Sequence, residues 1–134
     1  MNYFKETKTN ILENPKLRDP QIEAYVEVFN HFIMEDKTNT HAIVVLPTGV
    51  GKTGLMAILP FNIAVGRVLI IAPQLTILNT IESSLNPADT RNFLIDRGII
   101  ENPHNLPVLV VYEGNDTRRE HMDSANIVLA NIQK

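Results

Sequence analysis

The residues with the clearest chemical potential in this 134-residue chain form the stretch Leu-Pro-Thr-Gly-Val-Gly-Lys-Thr at 46–53. Gly49 and Gly51 allow backbone torsions that a Cβ would forbid, so successive N–H groups can curl around phosphate oxygens. Lys52 can bridge β- and γ-phosphates, and the Thr53 hydroxyl can take one position around Mg²⁺. The stretch therefore predicts a polyphosphate site.

The elements on either side of this loop are those that a phosphate site needs. Residues 41–47 form a continuous apolar run rich in β-branched side chains, which predicts a buried strand of a parallel sheet. Residues 52–58 predict a helix that Pro60 ends or kinks, with its positive N-terminal end at the loop. The strict phosphate-loop pattern has a glycine where Leu46 stands. The alternative is a glycine-rich turn that carries a surface lysine.

The rest of the chain alternates apolar strands with helical segments, which predicts an α/β fold with a parallel sheet. Right-handed crossovers would put helices on both faces, and ligands would bind beyond the carboxyl ends of the strands. Asp19 as N-cap and Pro20 as first residue predict the start of one helix. Further strands are predicted at 67–73, 107–113 and 125–132, and helices at 20–34, 74–85 and 87–99.

Composition limits the possible functions. Hydrophobic residues make up 44% and charged residues 20%, which is typical of one globular domain. The formal net charge is −3, so contact with nucleic acid has to depend on local motifs. The chain has no cysteine, which excludes disulfides and thiolate zinc sites and agrees with a cytoplasmic location. The apolar stretch 54–73 is interrupted by Pro60, Asn62, Gly66 and Arg67, so we predict no membrane contact.

The form Pro-Thr-Gly-Val-Gly-Lys-Thr resembles motif I of superfamily 2 helicases and translocases, which commonly lacks the first glycine. Residues 17–25 resemble the Q motif, in the form seen in translocating subunits of restriction enzymes and in repair helicases. The resemblance implies that Gln21 hydrogen-bonds the adenine edge through its amide and that Arg18 helps to hold the nucleotide. In the DEAD-box version an aromatic residue upstream stacks on adenine; Phe4 stands at that position, although this form of the motif does not require it.

Two later stretches are similar to the nucleic-acid motifs of the same family. Residues 68–80 resemble motif Ia, which implies that Pro73 and Gln74 lie at a helix N-terminus that holds a nucleic-acid phosphate. Residues 110–120 resemble motif Ib, which implies a close backbone approach at Gly114 and positive charge at Arg118. The final residues, 125–134, resemble the strand before the acidic box of the family. Asn131 replaces the usual threonine there, and Gln133 fits.

The resemblance implies a P-loop NTPase fold, a RecA-like three-layer sandwich with a mainly parallel sheet. We expect residues 1–19 to be an extension and 20–134 to be an incomplete domain, because the acidic Asp-Glu pair of the family is absent. The longer parent chain would be an ATP-dependent DNA helicase or translocase with a second RecA-like domain. The nucleic acid along which it moves could also be RNA. The cofactors would be ATP and Mg²⁺. The expected ATP-binding residues are Arg18, Gln21, Pro47, Thr48, Gly49, Val50, Gly51, Lys52 and Thr53. Of these, Lys52 and Thr53 are expected to act in catalysis, and the Thr53 hydroxyl is expected to bind Mg²⁺. The residues expected to contact nucleic acid are Pro73, Gln74, Gly114 and Arg118.

Two other interpretations of the function are compatible with the sequence. One is a small P-loop nucleotide-binding or switch protein that never contacts nucleic acid. The other is an interaction module without catalysis that uses the same scaffold. An Asp-Glu box and a second RecA-like domain in a longer parent would favour the helicase reading. We expect the 134 residues alone to bind nucleotide but to hydrolyse little of it.

Overall fold

The fold alternates helices with a parallel sheet. The computed structural model describes residues 2–47, 49–113 and 119–132. A π-helical turn at Asn30–Met34 continues α2, and a 3₁₀ turn covers Pro103–Asn105. The helices are α1 (Tyr3–Glu6), α2 (Asp19–Phe29), α3 (Lys52–Ile58), α4 (Leu75–Leu85), α5 (Phe93–Asp96) and α6 (Arg119–Asp123), and the strands are β1 (Val68–Ala72), β2 (Leu109–Tyr112) and β3 (Ile127–Asn131).

The described strands form one three-stranded sheet in the order β1-β3-β2. Both pairings are parallel, with Leu129 of β3 opposite Ile70 of β1 and Val111 of β2. This confirms the predicted α/β class and the strands predicted at 67–73, 107–113 and 125–132. The small open parallel sheet is consistent with a partial RecA-like domain.

The two faces of the sheet differ in their cover. Ile70, Leu129 and Val111 face the hydrophobic core, and α4 packs on β1 and β3. On the opposite face, Ile71 is 50% exposed and Tyr112 is 43% exposed. The prediction of helices on both faces of the sheet is therefore only partly correct for these residues. One face of the sheet is covered and forms the core, and the other face is partly exposed.

The predicted strand at 41–47 is wrong. The segment has no strand pairing, and Ile43 is 92% exposed and Val45 84% exposed. It runs beside α2, where Ala24 and Glu27 line the same cleft, and Leu46 alone of its residues packs against the core. The physical reason is that apolar, β-branched residues favour an extended backbone, but a strand also needs a neighbour. β3 is paired on both sides, and the segment does not join the edge at β1 or β2.

The helix predicted at 87–99 is also wrong over most of its length. Only Phe93–Asp96 is helical, because side chains before it satisfy the backbone in turns. The Asn86 side chain accepts the Ala88 N–H at 2.9 Å, and Asn92 accepts the N–H of Leu94 at 3.0 Å as the N-cap. Pro87 therefore lies in a turn rather than at the helix start.

The other helix predictions agree with the structure within a residue or two. The helix at 52–58 and the one at 74–85 are confirmed. α2 begins at Asp19 with Arg18 as its N-cap, one residue before the predicted start. No helix in the described ranges is long and apolar enough to cross a membrane.

Candidate phosphate-binding site

The loop before α3 has the backbone geometry that its glycines predict. Gly49 has φ 85° and Gly51 has φ 89° and ψ 57°, so both lie in the left-handed region. Residues with a Cβ rarely adopt these torsions, which explains the glycines at these two positions. α3 begins at the next residue, Lys52. The loop therefore turns directly into a helix N-terminus.

This N-terminus presents backbone donors that have no acceptor among the residues that the structure describes. The first bond of the helix runs from the Leu55 N–H to the Gly51 carbonyl at 3.1 Å. The N–H groups of Lys52, Thr53 and Gly54 precede that bond, and in the described part of the chain they donate to no carbonyl. Such donors, together with the positive end of a helix, bind anions.

Two side chains of the loop can supplement these donors. Lys52 is exposed and Thr53 is half-buried, and neither side chain makes an ion pair or a hydrogen bond with another residue of the described ranges. An ammonium and a hydroxyl at these positions suit a triphosphate with one Mg²⁺. Among the described residues, no cluster of histidine and acidic side chains could hold a metal alone. Mg²⁺ commonly takes much of its coordination from phosphates and water, so the residues present fit a nucleotide-borne ion.

The N-terminus of α2 is tied to this loop by two side chains. The Arg18 guanidinium donates from Nη1 to the Gly49 carbonyl at 2.6 Å. The Gln21 amide donates from Nε2 to the Gly51 carbonyl at 2.9 Å and accepts the Arg18 backbone N–H at 2.9 Å. Gln21 is only 2% exposed. The structure thus brings the predicted Arg18 and Gln21 into direct contact with the predicted loop.

Sequence analysis missed two residues that shape the site. A Cβ added at Gly54 would lie 2.6 Å from Nε2 of Gln21 and 2.6 Å from Cζ of Phe93. Gly54 thus makes room for both side chains. The third glycine of the stretch was a usable signal, since glycine is unfavourable inside a helix without a packing reason. No sequence feature pointed to Phe93, because its contact with Gly54 depends on how α5 packs on α3.

The remaining predicted site residues lie apart from the loop or outside the described ranges. Pro47 is exposed and Val50 half-buried within the loop itself. Pro73 and Gln74 are exposed at the carboxyl end of β1, where Gln74 is the N-cap of α4. Phe4 is fully buried against Phe61, with ring centroids 5.2 Å apart, and so is part of the core. Outside the described residues lie Thr48, Gly114, Arg118 and Gln133.

A glycine loop that opens a helix beside a parallel α/β sheet is the kind of arrangement found in P-loop domains, although the segment before this loop is not a strand. The family described as Type III restriction enzyme, res subunit, matches residues 14–134, and the chain belongs to this family. It is a family of superfamily 2 helicase N-terminal domains, which implies an ATP-dependent, helicase-like domain of a restriction subunit. No curated protein and no solved structure matches the chain.

Proposed function

We propose that this chain is the ATP-binding N-terminal part of an ATP-dependent DNA translocase or helicase of the restriction-subunit type. The observation that carries the proposal is the set of N–H donors at Lys52, Thr53 and Gly54, which have no acceptor among the described residues and directly follow two glycines with positive φ. Family membership supports ATP and Mg²⁺ as the ligands. The alternative, a P-loop protein without nucleic-acid function, shares this site.

Within this proposal each group of the loop has one task. The N–H groups at the start of α3 hold phosphate oxygens, and Lys52 neutralises charge between the β- and γ-phosphates. The Thr53 hydroxyl takes one position around Mg²⁺. Arg18 holds the loop through the Gly49 carbonyl, and its remaining guanidinium donors are available to the nucleotide. Thr48 and Val50 complete the loop in sequence.

DNA is proposed to run past the carboxyl end of β1. The Leu78 N–H makes the first bond of α4, to the Gln74 carbonyl at 3.0 Å, and within the described ranges the three preceding N–H groups have no acceptor, so they suit a phosphate. Pro73 and Gln74 are exposed there. Gln74 is neutral and the chain carries a net charge of −3, so we expect this contact to be weak. Gly114 and Arg118 are proposed as further contacts on sequence grounds.

Hydrolysis is proposed to belong to a longer parent chain. The 134 residues contain no Asp-Glu pair, the group that positions Mg²⁺ and the attacking water in this family. A second RecA-like domain would add arginine fingers, which are worth about 10³- to 10⁵-fold in turnover. We therefore expect this chain to bind ATP and to hydrolyse it slowly.

Titration calorimetry with ATP and Mg²⁺ tests the proposal. Wild-type protein should bind, and Lys52→Ala should weaken binding by roughly 10- to 100-fold, because a hydrogen bond to a charged group is lost. Lys8→Ala is the matched control, since Lys8 is an exposed lysine on the turn after α1. Equal affinities for wild type and Lys52→Ala would refute the phosphate site.

A further inference from the structure

We propose that Arg97 is a positioning residue of the nucleotide site. It fixes the backbone of Lys16 and, through Lys16, the path of the chain to Arg18. The proposal rests on the proposed function, because Arg18 holds the phosphate loop of the same ATP site. It predicts that removal of the Arg97 side chain weakens ATP binding only while Arg18 is present.

The first support is that Lys16 is held on both sides of its backbone. The Arg97 guanidinium donates from Nη1 to the Lys16 carbonyl at 2.9 Å, and the Lys16 N–H donates to Oδ1 of Asn14 at 2.8 Å. Two residues further along, Nη1 of Arg18 donates to the Gly49 carbonyl at 2.6 Å. A long side chain loses conformational freedom when it is held in one place, so an ordered backbone before Arg18 lowers the cost of its contact with the loop.

The second support is that Asn14 joins Lys16 to the turn that carries Arg97. The amide of Asn14 donates from Nδ2 to the Arg97 carbonyl at 2.7 Å and to the Asn10 carbonyl at 2.9 Å. Asn14 is only 3% exposed, so these bonds are protected from water. Asn14 and Arg97 therefore bind both Lys16 and each other. In such a closed network each bond supports the geometry of the others.

The third support is that the same turn packs against the helix of the phosphate loop. The Arg97 guanidinium lies over the ring of Phe93, 5.1 Å from Cζ to the ring centroid, which is a favourable cation–π distance. Phe93 in turn fills the space beside Gly54, where an added Cβ would lie 2.6 Å from its ring. Arg97 thus connects the first turn of α3 with the chain that leads into α2. Arg18 then completes the connection back to the loop.

The ion pair of Arg97 does not explain this placement. Nε of Arg97 lies 3.2 Å from Oδ2 of Asp96, and the two side chains are 38% and 64% exposed. A pair of neighbouring residues at the surface contributes little to stability. Because the Arg97 side chain is partly exposed, we expect its replacement to leave the fold intact.

Titration calorimetry with Mg²⁺-ATP on the 134-residue chain compares the wild type with Arg97→Ala. We expect the affinity to fall by about 3- to 10-fold, the factor that follows if only about a third to a tenth of the variant molecules hold the binding arrangement before ATP arrives. Arg91→Ala is the matched control, since Arg91 pairs with Asp89, is 76% exposed and should not affect affinity. Equal affinities for Arg97→Ala and the wild type would overturn the proposal.

A double-mutant cycle separates positioning from a general structural effect. Arg18→Ala should itself bind ATP more weakly, because the Gly49 carbonyl loses its partner. Adding Arg97→Ala to that variant should change the affinity by less than about 2-fold, since no Arg18 side chain remains to be positioned. A further loss as large as that in the wild-type background would show that Arg97 acts by another route, and the positioning role would be wrong.

Two more conservative variants cover the case in which Arg97→Ala does not fold. Arg97→Lys keeps a donor for the Lys16 carbonyl, whereas Arg97→Met keeps packing on Phe93 and has no donor. Arg97→Lys should therefore retain more of the affinity than Arg97→Met. An Arg97→Met variant with wild-type affinity would overturn the proposal.

The failure of this proposal differs from that of the proposed function. Wild-type protein that binds no ATP would refute the proposed function and, with it, the role of Arg97. Wild-type protein that binds ATP, together with Arg97 variants that bind it equally well, would refute the role of Arg97 alone.

Discussion

The hydroxyl of Tyr25 donates a 2.6 Å hydrogen bond to the carbonyl oxygen of Phe61. Tyr25 is 4% exposed and Phe61 is fully buried, so water has little access to this bond. The contact joins the middle of α2 to the turn after α3. These are the two helices whose N-terminal ends form the candidate site, so the bond helps to fix the distance between them.

Tyr25→Phe should lower the free energy of unfolding by about 1–3 kcal/mol, because the Phe61 carbonyl is left buried with one acceptor position empty. Urea denaturation followed by circular dichroism measures this change. Tyr112→Phe is the matched control, since Tyr112 is 43% exposed on the sheet and should lose little. Equal losses in the two variants would contradict the importance of the buried bond.

Stability should fall as the solution becomes alkaline. Burial raises the pKa of Tyr3 to about 12, with a smaller opposing effect from Thr7, and burial also raises the pKa of Tyr25. The unfolded chain loses these protons near the ordinary value of about 10, before the folded chain does. The contribution is therefore complete below about pH 10 and is lost as the pH rises towards 12.

Urea denaturation between about pH 9 and 11 checks this dependence. Replacing both Tyr3 and Tyr25 by phenylalanine should flatten the decline. A double variant that declines as steeply as the wild type would show that other groups cause the alkaline loss.

Gly54→Ala should destabilise the protein although alanine is the better helix former. The added Cβ would lie 2.6 Å from Gln21 and 2.6 Å from Phe93, so at least one of them has to move. Overpacking of this kind costs about 1–3 kcal/mol, more than the roughly 1 kcal/mol gained in helix propensity. Thermal denaturation measures the net effect. Asn79→Ala on the exposed side of α4 gains propensity without a clash and should be neutral or stabilising.

Ile43→Ala distinguishes the exposed segment in the structure from the buried strand that its sequence predicts. Ile43 is 92% exposed, so the substitution should change stability by no more than about 0.5 kcal/mol. Ile127→Ala removes a side chain that is 1% exposed in β3 and should cost roughly 2–5 kcal/mol. Both values come from chemical denaturation of this 134-residue chain. Comparable losses would mean that residues 41–47 are packed after all.

Single-stranded DNA should raise the anisotropy of a fluorescent label weakly, and the effect should decrease with salt as phosphate contacts weaken. Gln74→Glu places a negative charge at the start of α4 and should reduce binding further. Asn79→Asp adds the same charge in the middle of that helix and should have a smaller effect. An absence of binding at low salt would count against β1 and α4 as part of a DNA track.

Local chemistry explains why much of the fold was predictable. The glycines at 49 and 51 predict positive φ, and apolar runs predict the extended backbone of β1, β2 and β3, because these local preferences depend on neighbouring residues. The helix at 87–99 failed because Asn86 and Asn92 hydrogen-bond the nearby backbone, and a hydrophobic pattern does not weigh that competition. In each correct case the responsible residues lie within the element itself.

Partner choice could not be predicted in the same way. The composition of 41–47 sets a preference for extended backbone, whereas pairing depends on which edges are within reach in three dimensions. For Gln21 the sequence predicts an amide near the site. It does not predict whether that amide turns towards a base or towards the Gly51 carbonyl. Only the packing of α2 against α3 decides between these orientations.

The order β1-β3-β2 has a consequence for biosynthesis. The middle strand, β3, is the last of the three to be translated. Until then a nascent chain contains β1 and β2 without the strand that pairs with both of them. The edges of β1 and β2 that will face β3 can pair with wrong strands until β3 forms, with Ile127 opposite Val68 and Leu109. Closing such distant contacts late makes folding slow. A ribosome stalled before that strand emerges would display helices without a sheet.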